Sequence, residues 1–299
     1  MVVGLVGCGR WGRHILRDLN ALACEVPVVA RSDASVAHAR EGGAATIVEH
    51  VQDLPDLDAV VVATTTSTHA SLVERVLELR IPVFCEKPLT DDPDAAARLA
   101  AAAPGSLFVM DKWRYHPGVV ELASIAAEGR LGAVAGISTT RVGWGNPHDD
   151  VDAVWVLAPH DLSIALEVLG SIPTPSSAVG QIVDGNVVSL AAHLDAGDAW
   201  HAFEVSSVSP VRERRVELHC ADGVAALAGA WDEHVSVFRA GTDEPEETRI
   251  ETPGELPLLA QLRAFVEHVR GGPAPKSSAA EGAAIVSTLA ELRRLAGAA

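Results

Sequence analysis

The sequence predicts an α/β protein in two parts: a parallel sheet covered by helices, then an α+β domain with a largely antiparallel, open-faced sheet. Three observations predict this fold. Over the first ~110 residues, short apolar runs alternate with amphipathic segments, as in a helix-covered parallel sheet. A glycine-rich turn follows the first apolar run. After about residue 130, strand-like runs follow one another with few helices between them.

The composition is that of a globular protein whose main partner is not a nucleic acid. Of 299 residues, 48% are hydrophobic, and the formal net charge is −17, which argues against binding a phosphate backbone. The apolar runs are too short or too interrupted for a signal peptide or a membrane span. The four cysteines show no metal-ligand spacing. We therefore expect a cytoplasmic protein with reduced thiols, no metal, and no membrane or nucleic-acid partner.

Each element of the first part is predicted from its apolar pattern. Strands are short runs of branched apolar residues, and helices carry apolar residues three and four positions apart. Strands are predicted at residues 2–6, 26–30, 59–63, 83–85 and 107–110, and helices at 12–22, 70–79 and 93–103.

The turn after the first strand has the spacing of a dinucleotide-binding loop. Gly7, Gly9 and Gly12 follow a strand and open a helix, the context that makes a G-x-G-x-x-G pattern specific. The first glycine permits a tight turn, the second lets a pyrophosphate approach the backbone, and the third lets helix and strand pack closely. The sequence therefore predicts a Rossmann domain for NAD(P), with Arg10 and Trp11 of the loop also at the cofactor.

The end of the second strand is expected to contact the adenosine ribose. Arg31 and Ser32 occupy this position, and a guanidinium with a hydroxyl suits the 2′-phosphate of NADP(H). Asp33 comes one or two residues later than the acid typical of NAD-selective sites. We therefore expect NADP(H) to be favoured over NAD(H), with NAD(H) binding through Asp33 as the alternative.

The second domain is predicted from a series of strand-like runs separated by turn residues. The predicted domains are residues 1–115 and 116–299, with the two C-terminal helices as candidates to pack back on the first domain. Strands are predicted at residues 133–141, 178–183, 187–194, 200–208, 215–219 and 235–239, and helices at 257–269 and 278–295.

Glu86-Lys87-Pro88 follows the fourth predicted strand, at its carboxyl end, where open α/β sheets bind ligands. With the glycine loop, residues 63–69 and residues 158–161 ahead of a predicted helix, it resembles the glucose–fructose oxidoreductase/inositol dehydrogenase (Gfo/Idh/MocA) family. The resemblance runs in order through the whole chain. The glycine loop and Leu-Ala-Pro-His-Asp are most similar to the branch that oxidises position 3 of nucleotide-linked N-acetylamino sugars.

The resemblance implies an enzyme that moves a hydride between nicotinamide C4 and a carbinol or carbonyl carbon of a sugar, nucleotide sugar or cyclitol. It implies that Lys87 binds near the reacting hydroxyl and that His160 acts in proton transfer. An imidazole can accept a proton near neutral pH, and an ammonium group can stabilise a developing alkoxide. Asp161 is expected to orient His160 or to lie in the first turn of the following helix as a cap.

The resemblance also implies a homodimer or homotetramer formed through the exposed face of the second sheet, and further contacts on both sides of the reaction. On the cofactor side these are Thr64, His69, Glu86 and Lys87. On the substrate side they are Arg114, Tyr115, His116, Arg141 and Asp161. For residues 113–117, a packed aromatic crossover is the alternative, and helix packing is the alternative for His69.

One position departs from the family pattern, in which an Asp commonly stands four residues before the His. Here that residue is Val156, whose side chain can neither relay a proton nor orient an imidazole. Three explanations stay open. His160 with Lys87 suffices, or an acid among Asp149, Asp150 and Asp152 substitutes, or the enzyme is an NADPH-dependent imine or keto reductase. A cofactor-binding regulatory protein without turnover is a further alternative.

Overall fold

The structure is a computed structural model that describes residues 1–146, 148–241 and 246–298. The chain divides into two compact units, one of Met1–Lys112 with Leu258–Val286 and one of Trp113–Pro257 with Ser287–Ala299. The helices of the described residues are α1 (Gly12–Ala21), α2 (Asp33–Glu41), α3 (His69–Leu77), α4 (Pro93–Ala102), α5 (Pro117–Glu128), α6 (Ala153–Leu169), α7 (Pro257–Val269) and α8 (Ala279–Leu295). Within the described ranges, none of them is long and apolar enough to cross a membrane.

The first unit contains a parallel sheet with strands in the order β3-β2-β1-β4-β5-β6. Its strands are β1 (Val3–Val6), β2 (Pro27–Val29), β3 (Thr46–Val48), β4 (Ala59–Val62), β5 (Val83–Glu86) and β6 (Leu107–Met110). This is the strand order of a dinucleotide-binding sheet, and the order reverses between β1 and β4. The predicted Rossmann domain is confirmed.

Burial explains why the first unit forms these elements. All four residues of β1 and of β4 are buried, as expected for strands covered on both faces. Leu16 of α1 and Phe265 of α7 belong to the same core as Leu5 of β1. Phe265 stacks on Phe84 of β5 at a centroid distance of 4.7 Å. The sequence-based prediction omitted α2 and β3, which are short and only partly buried.

The second unit contains a sheet with strands in the order β14-β13-β12-β11-β7-β10-β9-β8. Its strands are β7 (Val134–Trp144), β8 (Thr174–Val183), β9 (Asn186–Ala196), β10 (Ala199–Ser206), β11 (Val208–Cys220), β12 (Gly223–Leu227), β13 (His234–Arg239) and β14 (Glu247–Glu251). The β7–β10 pair is parallel, and the other pairs are antiparallel. The predicted, largely antiparallel sheet is confirmed.

Helices α5 and α6 cover one face of this second sheet. Leu122 of α5 and Ile164 of α6 share a core with Ile137, Val216 and Leu218 of the strands. The sequence-based prediction omitted α5 and started a helix after residue 161, whereas α6 begins at Ala153. Most residues of α6 are buried, so it lacks the polar stripe that makes an amphipathic helix visible in a sequence.

Candidate functional site

The glycine loop between β1 and α1 is shaped by two contacts that leave no room for a side chain. Gly7 has φ +96°, and a Cβ there would lie 2.6 Å from the Ala63 oxygen. A Cβ on Gly12 would lie 2.3 Å from the Gly7 oxygen, whereas a Cβ on Gly9 would meet no atom within 4 Å. The first turn of α1 holds no acidic residue, and no side chain caps it. The N-terminus of α1 carries the positive end of the helix dipole, which favours a bound anion. The open space beside Gly9 leaves room for that anion to be a dinucleotide pyrophosphate.

Trp11 of this loop is held by a buried carboxylate at the end of β5. Its indole Nε1 donates to Glu86 Oε1 at 2.5 Å, and Lys112 Nζ lies 4.2 Å from the centroid of the indole. The Lys87 backbone N–H donates to Glu86 Oε2 at 3.2 Å. Burial raises the pKa of the Glu86 carboxyl, and the charges of Lys87 and Lys112 oppose that rise. Glu86 therefore links the glycine loop to the residue that follows β5.

His69, at the start of α3, links the ends of β4 and β5. It is buried, and its Nδ1 lies 2.9 Å from the Pro88 oxygen while its Nε2 lies 3.2 Å from the Thr64 oxygen. Thr64 Oγ1 accepts a hydrogen bond of 2.8 Å from Thr68. The structure thus brings Thr64, His69, Glu86 and Lys87 to the carboxyl edge of the sheet, beside the point where strand order reverses.

The end of β2 presents an exposed arginine beside a helix cap. Arg31 Nε donates to the Glu49 oxygen at 3.1 Å, and its Nη2 lies 3.4 Å from His50 Nδ1. Ser32 is the N-cap of α2 and accepts from the Ser35 N–H at 3.2 Å. Asp33 lies in the first turn of α2, where an acid is favourable to the helix dipole without any ligand.

In the second unit, α6 carries His160 in its third turn, and the cap of this helix is Asp152. Asp152 Oδ1 accepts from the N–H groups of Val154 and Trp155, at 3.1 and 3.4 Å. Its Oδ2 accepts from the Val187 N–H at 3.2 Å and from Arg293 Nε at 2.9 Å. Both carboxylate oxygens of Asp152 therefore hold the start of α6 in place. Asp152 is for this reason a poor substitute for the aspartate that the family commonly has at position 156. The expectation that Asp161 caps a helix is wrong, because α6 begins eight residues earlier.

Asp161 instead forms a buried, two-bond ion pair with Arg141 of β7. Arg141 Nε donates to Oδ2 at 2.9 Å and its Nη2 donates to Oδ1 at 3.2 Å, and the two residues are 3% and 0% exposed. Arg141 Cζ lies 4.5 Å from the centroid of the Trp113 ring, whose other neighbours include His160 at 6.4 Å. Trp113 therefore borders both the ion pair and the predicted proton-transfer residue.

The remaining predicted substrate residues have partners within the second unit. Arg114 Nε donates to Glu167 Oε2 at 3.0 Å, with both side chains largely buried. His116 caps α5 through the Gly118 N–H at 3.1 Å, and its Nε2 lies 3.1 Å from the Ala230 oxygen. Tyr115 ends a short 3₁₀ turn. These contacts resemble the packed crossover named as the alternative, and substrate binding by these residues stays a prediction.

Two further arginines of the second unit are missing from the sequence-based prediction. Arg214 of β11 lies directly opposite Arg141 in the β7–β11 register, and Arg212 lies two residues before it. Residues two apart on a strand share a face. The spacing Arg-Glu-Arg in the sequence could therefore have predicted two arginines on one face of a strand. Which face they share depends on the register with β7, which the sequence does not show.

Comparisons with known proteins agree with this architecture. Residues 1–106 match a family model described as an oxidoreductase family with an NAD-binding Rossmann fold. Inositol 2-dehydrogenase of Rhizobium meliloti (strain 1021) is 26% identical over 245 residues, which are 75% of this chain and 74% of that protein.

Two solved structures align over almost the whole chain. UDP-N-acetylglucosamine 3-dehydrogenase of Acidithiobacillus ferrooxidans has a TM-score of 0.85 at 20% identity, covering 99% of this chain and 97% of that one. A 3-ketoreductase of Actinomadura kijaniata, solved with TDP-benzene and NADP, has a TM-score of 0.84 at 22% identity, covering 98% and 96%. At these identities the likeness shows the fold.

Proposed function

We propose that the chain, of which residues 1–106 match the Gfo/Idh/MocA oxidoreductase model with its NAD-binding Rossmann fold, is an NADP(H)-dependent enzyme of that family acting on a sugar, nucleotide sugar or cyclitol. The observation that carries the proposal is the glycine loop beside Glu86-Lys87-Pro88 at the carboxyl edge of the parallel sheet. The substrate class is supported by two relatives, an inositol 2-dehydrogenase and a UDP-N-acetylglucosamine 3-dehydrogenase.

The bound nicotinamide supplies a C4 carbon that accepts or donates a hydride. In the proposed oxidation, the substrate carbinol carbon gives up its hydride, and the hydroxyl proton passes to His160. We propose that Lys87 stabilises the negative charge that develops on the substrate oxygen as this proton leaves. In reduction the same groups act in reverse, with His160 as the proton donor.

Selectivity for NADP(H) is proposed on the position of Arg31. The side chain is exposed at the end of β2, and its guanidinium lies beside His50, so a 2′-phosphate there would gain charge-assisted hydrogen bonds. A fluorescence titration with NADPH and NADH tests this. We expect NADPH to bind at least about tenfold more tightly, and Arg31→Gln to weaken NADPH binding by about 10- to 100-fold without changing NADH binding.

Arg40→Gln is the matched control, because Arg40 is an exposed arginine in the last turn of the same α2. Tighter binding of NADH than of NADPH would instead indicate that Asp33, and not Arg31, contacts the adenosine ribose. Failure of the folded protein to bind either dinucleotide would overturn the proposed function. Lys87→Met and His160→Gln are then expected to bind NADPH but to lose hydride transfer.

A second candidate, reduction of a ketone or imine with NADPH, is favoured by Val156. This residue precedes His160 by one turn of α6, so a carboxylate at 156 would be adjacent to the imidazole. We propose measuring NADPH oxidation with keto sugars and cyclic imines alongside NADP⁺ reduction with sugars and inositols. Turnover confined to the first set supports the second candidate. Val156→Asp is expected to raise the pKa of His160 and shift the pH profile upward.

We also propose that copies of the chain associate through the uncovered face of the second sheet. On this face the Trp200 ring lies flat over Gly136, where a Cβ would lie 2.3 Å from the indole. His193 and His219 flank the same ring at 6.4 and 5.1 Å. Light scattering after gel filtration should give the mass of a dimer or tetramer, whereas a monomer at micromolar concentration would contradict this assembly.

A further inference from the structure

Arg214 lies beside the buried Arg141–Asp161 ion pair, and Arg212 lies near Arg214. Arg214 and Arg141 are directly opposite residues of the antiparallel β7–β11 pair, and opposite residues lie on the same face. A methyl group built on Gly143 would lie 3.8 Å from Arg212 Cγ and 3.9 Å from Arg214 Nη2. The end of β7 is therefore surrounded by Arg141, Arg212 and Arg214.

The cluster, defined as Arg212 and Arg214, lies near the carboxylate of Asp161, whose charge acts to raise the pKa of Arg214. Both carboxylate oxygens of Asp161 are engaged by Arg141. Arg214 Nη1 donates to two backbone carbonyls, those of Val142 and Glu213. Among the residues that the structure describes, neither arginine of the cluster forms an ion pair. Burial, followed by the charges of Arg141 and Arg212, lowers the pKa of Arg214 to about 10.

Arg215, the next residue along β11, differs from Arg214 because it forms ion pairs with carboxylates of the same strand. Arg215 is exposed, and its Nε lies 3.2 Å from Glu213 Oε1 while its Nη1 lies 3.1 Å from Glu217 Oε1. It is thus neutralised by two carboxylates in water. A half-buried guanidinium without an acid costs free energy, and an anion would offset that cost.

The cluster is connected to His160, the group that is proposed to move the proton, through Arg141 and Trp113. Arg141 lies between the cluster and the Trp113 ring, and His160 borders the same ring. We propose that Arg212 and Arg214 bind an oxyanion carried by the substrate, a phosphoryl or carboxylate group attached to the sugar. Arg214 would present Nε and Nη2, which donate to no protein acceptor in the described part of the chain, as a two-pronged donor. This inference rests on the proposed function and narrows its substrates to anionic sugars.

The test is a calorimetric titration of the NADPH-saturated protein. NADPH occupies the proposed pyrophosphate site at the glycine loop, so that an added anion does not bind there. The probes are UDP, inorganic pyrophosphate, glucuronate and neutral myo-inositol. We expect Arg214→Gln to weaken binding of the preferred anion by about 10- to 100-fold, with Arg212→Gln in the same direction. Arg214→Lys, which keeps the charge but not the fork, should be intermediate. Arg215→Gln is the matched control and should bind as the wild type.

The pattern of probes identifies the source of the oxyanion. Preference for UDP and pyrophosphate indicates a phosphoryl group, and preference for glucuronate indicates a carboxylate. The inference is overturned if the folded Arg212→Gln/Arg214→Gln protein binds every anion as tightly as the wild type, or if myo-inositol binds best. Such a result with intact NADPH binding leaves the proposed function standing. Failure to bind either NADPH or NADH refutes the proposed function separately, and the anion titrations of wild type and double variant are then compared without a dinucleotide.

Discussion

The glycine loop offers a perturbation that separates a packing role from a ligand-binding role. Gly12→Ala places a Cβ 2.3 Å from the Gly7 oxygen and 3.1 Å from the Gly7 carbonyl carbon. Both are backbone atoms of the turn, so α1 or the turn must shift by about 1 Å to restore ordinary contact. Gly9→Ala adds the same methyl group where no atom lies within 4 Å.

We expect Gly12→Ala to lower the free energy of unfolding by about 1–3 kcal/mol, the usual cost of overpacking. Gly9→Ala should leave stability unchanged or raise it by up to about 1 kcal/mol, yet weaken NADPH binding at least about tenfold, because the methyl group occupies the side expected to face the pyrophosphate. Urea unfolding and an NADPH titration measure the two effects. A Gly12→Ala protein as stable as the wild type would refute the packing argument, and wild-type NADPH affinity in Gly9→Ala would refute the binding argument.

Two further predictions concern buried ionisable side chains in the second unit. Asp161→Asn leaves the Arg141 guanidinium buried without its counter-ion and should cost about 3–5 kcal/mol in urea unfolding; a loss below about 1 kcal/mol would contradict this, and Arg294→Gln, in an exposed ion pair, is the control. Burial and the charge of His193 lower the pKa of His201 to about 3, so the folded state holds a neutral ring while the unfolded state gains a proton below about pH 6.5. Stability should therefore fall as pH drops from about 6.5 towards 3, by about 2 kcal/mol at pH 5 from this group, and His201→Gln should lose that part of the pH dependence; an unchanged dependence would refute it.

The sequence predicted the first unit well because its information is local. The branched apolar run of β1, the glycine turn and the amphipathic α1 adjoin one another, so each supports the reading of the next. Glu86-Lys87-Pro88 could likewise be placed at the end of a strand. The bond from Trp11 to Glu86 spans 75 residues, and nothing in either segment alone points to the other.

The second unit was predicted less completely because its helices and ion pairs depend on packing. Residues 158–161 were placed ahead of a predicted helix, but they lie within the buried helix α6. The pairing of Arg141 with Asp161, and of Arg214 with the same region, follows from the seating of α6 on β7 and from the β7–β11 register. Neither can be read from residue spacing.

The bond between Arg293 and Asp152 has a practical consequence for anyone modifying this protein. Asp152 fixes the first turn of α6, and one of its oxygens is held by a side chain from the last turns of α8. Shortening α8, or splitting it to insert a tag before residue 293, would remove a positive charge from beneath the helix that carries His160. Loss of turnover in such a fusion would then reflect a displaced α6, with no obstruction of the substrate by the tag.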